Sequence, residues 1–80
     1  MDEAAIWQTL TDVFRDTLGD DTIRLRPETT AQDVDGWDSV THIQLLVAVE
    51  RAFGIRFNTG EVAGLANVGA LVRLIGRRAR

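Results

Sequence analysis

The chain of 80 residues has no cysteine, no lysine, one proline and one histidine. Without cysteine it can form neither disulfides nor thiolate metal sites, so the packing of apolar side chains must hold it together. No apolar run approaches the roughly 20 residues of a membrane-spanning helix, and no membrane partner is expected. The acidic start, Asp2-Glu3, does not resemble a secretion signal, which makes the cytosol the expected compartment. The absence of lysine leaves all nine positive charges on arginine and points to no function.

What is present suits one small domain over residues 1–80, expected to be monomeric. An apolar share of 45% is enough for a core, and 26% charged residues with one proline argue against disorder. The net charge of −3 is unevenly placed. Residues 1–38 hold ten acids against three arginines, or −7, and residues 39–80 hold two acids against six arginines, or +4. The acidic first half disfavours nucleic acid as a partner. The only basic cluster is Arg73, Arg77, Arg78 and Arg80, which reads as cations over a helix C-terminus.

Apolar periodicity predicts three longer helices and a short one. Ile6, Trp7, Leu10, Val13, Phe14 and Leu18 recur at three- and four-residue steps, giving a helix over 3–18 capped by Asp2 and stopped by Gly19. A second helix runs over 39–53 and stops at Gly54. Thr59 is expected to cap a short helix over 60–64, weakened by Gly60 and Gly64. Asn67 opens a last helix through Val68, Leu71, Val72 and Ile75, in which Gly69 and Gly76 are weak points and fraying is expected after Ile75. The class is all-α.

Between the first two helices lies a connection, residues 19–38, longer than most compact domains tolerate. Ile23 and Leu25 can anchor it, Pro27 stiffens it, and Thr30-Ala31-Gln32-Asp33 reads as a capping box opening one helical turn. Asp33, Asp35, Gly36 and Asp38 superficially suggest a calcium loop. The glycine comes too early for one, and the twelfth position counted from Asp33 is Gln44 rather than glutamate. Turn and cap chemistry explains these residues better, and no metal is expected.

The stretch from Asp35 to Ile43 is the centre of the sequence. Asp38 is placed to cap the second helix, and Ser39 falls on its first residue, where a hydroxyl would project from the helix mouth. Free N–H groups and the positive dipole end there favour a phosphodiester by about 0.3–1 kcal/mol. On a helical wheel, His42, Leu45, Leu46, Val49 and Phe53 form a core face. Val40, Ile43 and Val47, with Gln44 and Arg51 alongside, form a second stripe that the core does not need; either the short third helix or the loop covers it, or it is a surface for docking partners. Ser39 and His42 could suggest a hydrolase, but no oxyanion hole, elbow or cleft accompanies them. A histidine hydrogen-bonded to the neighbouring loop is the expectation.

Gly36-Trp37-Asp38-Ser39-Val40, followed by Glu50-Arg51-Ala52-Phe53-Gly54-Ile55-Arg56-Phe57, resembles the acyl carrier protein family over the whole chain. The resemblance implies a right-handed four-helix bundle without catalysis of its own. It implies that a phosphopantetheinyl transferase attaches 4′-phosphopantetheine from coenzyme A to Ser39. The arm's thiol then holds an acyl group as a thioester for loading and processing enzymes such as transferases, synthases and thioesterases. Asp38 and Val40 match the positions that the transferase reads, and Val47 matches an exposed apolar position on the recognition helix. Two departures stand out: Val40 replaces the usual leucine, and Thr41 and Gln44 stand where fatty-acid carriers often have carboxylates. The missing acids favour a discrete carrier of polyketide or other secondary metabolism over a fatty-acid-synthesis carrier, and Trp37 before Asp-Ser with His42 after it resembles such stand-alone carriers more than peptidyl carriers. Two other readings remain: an interaction module that uses Val40, Ile43 and Val47 without a prosthetic group, and a nucleic-acid-binding bundle that uses the terminal arginines.

Overall fold

The computed structural model describes residues 2–63 and 65–79. Among them α1 spans Glu3–Leu18, α2 Ser39–Phe53, α3 Thr59–Ala63 and α4 Val68–Arg78, with one 3-10 turn at Ala31–Asp33 and no strand. The helix boundaries follow local chemistry. Asp2, in extended backbone, accepts the Ala5 N–H at 2.8 Å and so satisfies one of the free donors that open α1. Gly19 and Gly54 end α1 and α2 at φ of 67° and 65°, a left-handed conformation that costs glycine nothing.

α1 packs against both α2 and α4, and the core lies between these three helices. Ile6, Leu10 and Phe14 enter it from α1, Leu45 and Val49 from α2, and Val68, Leu71, Val72 and Ile75 from α4. Ile23 and Val34 of the long connection close it, with Leu25 packed alongside as the second anchor. The radius of gyration, 11.4 Å, is what a compact chain of this length has, about 12 Å, so the connection lies on the bundle rather than away from it.

Two backbone hydrogen bonds fix that connection. The N–H groups of Val68 and Gly69, free at the start of α4, donate to the carbonyls of Thr29 and Pro27, each at 2.8 Å. Gly69 is therefore not merely a weak point. A Cβ there would lie 2.8 Å from the Pro27 carbonyl oxygen, so only glycine allows the loop this close. Residues 27–29 in effect cap α4 beside Asn67, whose side chain accepts from the Ala70 N–H.

Three expectations need correction. Leu46 is half-buried and lies outside the core cluster. At about 100° per residue it stands some 80° from the midpoint of Leu45 and Val49, further round than Phe53. α4 does not fray after Ile75 but continues to Arg78. Arg77 and Arg78 suit the negative end of the helix, and Arg78 forms an ion pair with Glu61 of α3. α3 begins at Thr59 itself, so the capping position falls on Asn58. The Asn58 N–H donates to Glu61 Oε1 and its carbonyl accepts from the Glu61 N–H, each at 3.0 Å. Gly64 and Arg80 lie outside the described residues.

Candidate functional site

The start of α2 is built by reciprocal capping. Asp38 is extended (φ −131°), and its Oδ1 accepts the N–H groups of Val40 at 2.9 Å and Thr41 at 3.0 Å. The Thr41 hydroxyl accepts from the Asp38 N–H at 2.8 Å and donates to the Gly36 carbonyl at 2.6 Å. A threonine thus fills the place usually taken by glutamate or glutamine in a capping box. Gly36 makes the turn into this cap at φ 86°. The N–H of Thr41, and after it that of Val40, hold the Asp38 carboxyl below the ordinary carboxylate range, because they bond its charged form.

Ser39 is the first residue of α2 and is exposed. Neither its hydroxyl nor its N–H has a partner among the described residues. The expected set of free N–H groups is therefore narrower than the sequence suggests. Asp38 already occupies those of Val40 and Thr41, and the N–H of Ser39 itself remains available beside the hydroxyl.

His42 lies one turn along α2 and is half-buried. It is hydrogen-bonded to the neighbouring loop, as expected: the Trp37 indole N–H donates to its Nδ1 at 3.1 Å. The nitrogen that could take a proton from a serine is thus occupied, and no bond joins it to Ser39, so the pair is not a nucleophile with its base. Trp37 and His42 border a cleft of 380 Å³ that is closed by Thr30–Gln32 on one side and by Leu65–Asn67 and Leu71 on the other.

Val40, Ile43 and Val47 are 68%, 65% and 41% exposed, which places the second stripe of α2 on the surface. Gln44 is exposed beside them. Ile43, Gln44 and Val47 border a shallow groove of 510 Å³ against Val13, Asp16 and Thr17 of α1. Two acids of the long connection act as caps: Asp33 accepts from the N–H and hydroxyl of Thr30, and Asp38 from the first turn of α2. Among the described residues no three histidine, cysteine or acidic side chains are grouped so as to hold a metal ion. No helix among them is long and apolar enough to cross a membrane.

A helical bundle that presents a free hydroxyl at an exposed helix mouth, bordered by unburied apolar side chains, has room for a covalently held group there. Comparison with known proteins agrees. The family model described as a phosphopantetheine attachment site matches residues 8–75, and the chain belongs to that family. A solved structure, the holo acyl carrier protein of Geobacter metallireducens in solution, is 42% identical, with a TM-score of 0.84 over 90% of this chain and 83% of that one. The protein is an acyl carrier with a covalently attached phosphopantetheine as prosthetic group, and its family is not catalytic. The site fits such a group: the Ser39 hydroxyl is unhindered, and the adjacent N–H is unspent at the positive end of a helix.

Sequence reasoning placed Asp38, Ser39, Val40, Ile43, Gln44 and Val47 together, and the fold brings all six to one end and one outer face of α2. It expected His42 to bond the loop but did not identify Trp37 as the partner. The residue types gave a signal, a lone histidine five positions after a tryptophan, but their contact depends on the turn at Gly36.

Proposed function

We propose that Ser39 is the residue that bears the phosphopantetheine arm, and that the protein presents acyl groups to enzymes of polyketide or other secondary metabolism. The placement of Ser39 supports this most strongly: its hydroxyl is exposed and unbonded on the first residue of α2. A phosphopantetheinyl transferase is the modifying enzyme and coenzyme A the donor. The serine Oγ loses its proton as it bonds to the phosphorus of the pantetheine phosphate, and the phosphoanhydride bond of coenzyme A breaks, with adenosine 3′,5′-bisphosphate leaving with the bond's electron pair. When bound, the group supplies a terminal thiol that holds an acyl chain. Asp38 keeps the helix mouth in one conformation for that enzyme. Val40, Ile43, Gln44 and Val47 form the face on which the transferase and the loading and processing enzymes dock.

The specialised pathway is favoured by the chemistry of the first turn of α2. It has no acid, Thr41 is turned inward to the capping box, and Gln44 is neutral. Steering toward a strongly basic partner would be weak along this face, so apolar contact must supply more of the recognition. The cytosol is the proposed compartment and the monomer the proposed state.

Co-expression with a broad-specificity phosphopantetheinyl transferase, followed by intact-mass measurement, tests the assignment. One added phosphopantetheine is expected on the wild type and none on Ser39→Ala. An unmodified wild type, or a modified Ser39→Ala, refutes it. The mass of the loaded form from its own cells tests the pathway, since a saturated fatty acyl chain would contradict the polyketide reading.

A further inference from the structure

Trp37 stands two residues before Ser39 and His42 three residues after it, and their side chains are joined across that interval. The indole N–H of Trp37 donates to His42 Nδ1 at 3.1 Å, and the two rings are nearly parallel, 18° apart with centroids 6.0 Å from each other. On its other side Trp37 meets Phe14 edge to face, at 85° with centroids 5.0 Å apart. Phe14 is completely buried in α1. Three rings therefore connect the core, the loop before Ser39 and the first turn of α2. The backbone closes the same interval, with the His42 N–H on the Asp38 carbonyl at 2.8 Å and the Trp37 N–H on the Val34 carbonyl at 3.2 Å.

A ring nitrogen that accepts a hydrogen bond has no proton, so the contact requires a neutral imidazole with its proton on Nε2. Protonation of Nδ1 would set two donors against each other and leave the indole N–H of the half-buried Trp37 unpaired. The other residues that line the cleft at His42 do not ionise. They are Thr30, Ala31 and Gln32 at the 3-10 turn, Leu65, Ala66 and Asn67 between α3 and α4, and Leu71 of α4. From α1 the connection is through Phe14. The carboxylates nearest in sequence are otherwise engaged or exposed: Asp38 is held by the N–H groups of Val40 and Thr41, Glu50 accepts the Phe57 N–H, and Asp35 points to no partner among the described residues. No fixed charge lines the cleft that the ring borders.

We infer that Trp37 and His42 clamp the segment around Ser39 for recognition by the modifying enzyme, and that the clamp opens when the imidazole gains a proton. The inference rests on Ser39 as the attachment residue. His42 is a positioning residue, acting through Trp37 and touching no reacting atom.

Nitrogen-15-labelled protein lacking the arm is titrated from about pH 8 to about pH 5, the span in which an imidazole changes charge. The Trp37 indole resonance, told from that of Trp7 with Trp7→Phe, is followed together with the His42 ring signals. In the wild type the indole signal should shift with the same midpoint as the imidazole. In His42→Asn, whose amide oxygen takes the place of Nδ1 but does not titrate, it should stay bonded and flat. In His42→Leu it should be unbonded throughout. Phosphopantetheine transfer from coenzyme A by a broad-specificity transferase is then measured as the ratio of wild type to His42→Asn, which cancels the transferase's own pH dependence. The ratio should be near unity above the midpoint and fall several-fold below it, mainly through KM. A flat indole signal during imidazole titration overturns the clamp. A moving indole signal with a constant ratio overturns its role in recognition. A wild type that is never modified removes the Ser39 assignment, and the inference with it, while the indole titration still shows whether the two rings are linked.

Discussion

Asp38 and Ser39 are adjacent, but different forces act on them. Asp38 is fixed by two N–H donors and by its own N–H to Thr41, whereas Ser39 is held only by the backbone on either side. Ser39→Ala should therefore leave the thermal midpoint almost unchanged, within about 0.5 kcal/mol of stability, so that any loss of modification is chemical rather than structural. For Asp38 the folded carboxyl titrates below its unfolded value. Its contribution is then complete above the unfolded range, around pH 4, and is lost only as pH falls through the folded value. Asp38→Asn keeps an acceptor oxygen but loses the charge. Thermal melts from neutral to strongly acidic pH should show a smaller fall for Asp38→Asn than for the wild type, confined to the region below about pH 4. Parallel curves would mean that the cap charge does not stabilise α2.

At the scale of the element, α2 has two apolar faces with different consequences. Leu45 is 2% exposed and central to the core, so Leu45→Ala should cost about 2–5 kcal/mol in chemical denaturation. Leu46→Ala should cost clearly less, because its side chain is only half-buried. Val47→Asp should fold normally yet lose transfer to partner enzymes, measured as acyl loading of the modified protein. An unfolded Val47→Asp would show that this face is buried after all. The two inner glycines of α4 predict opposite signs. Gly76→Ala places a methyl group in ordinary contact, 3.8 Å from Ile6 Cδ1, and should gain about 0.5–1 kcal/mol from helix propensity. Gly69→Ala drives a methyl group against the Pro27 carbonyl and should lower the melting temperature, with the loop loosened in hydrogen exchange.

For the whole molecule, the bundle depends on α1, which packs against both of its long neighbours. Phe14 has no exposed surface and also supports Trp37. Phe14→Ala should cost about 3–5 kcal/mol, a large share of the 5–15 kcal/mol available to a small domain, and should be visible as a much lower urea midpoint. The same variant should shift the Trp37 indole signal, because the edge-to-face contact is lost. The charge distribution also belongs to this scale. The acids lie mainly on α1 and the long connection, α4 carries Arg73, Arg77 and Arg78, and α2 carries only Glu50 and Arg51. A partner that approaches along α2 therefore meets apolar side chains with little negative charge among them.

Periodicity and caps were legible in the sequence because they are local. Asp2, Gly19, Asp38, Gly54 and Asn67 each act on hydrogen bonds within a few residues, so the limits of α1 and α2 and the position of Ser39 at a helix mouth could be read directly. The exposed stripe of Val40, Ile43 and Val47 was equally legible, because a helix in a small bundle buries only one face. What the sequence alone could not decide were the contacts between residues distant along the chain. The seating of Pro27 on Gly69, the displacement of Leu46 from the core and the survival of the last turn of α4 through Glu61 and Arg78 all depend on how separate segments meet. The linkage of Trp37 to both Phe14 and His42 is decided in the same way, because a ring can bridge two helices only once the loop between them has been folded back onto the core.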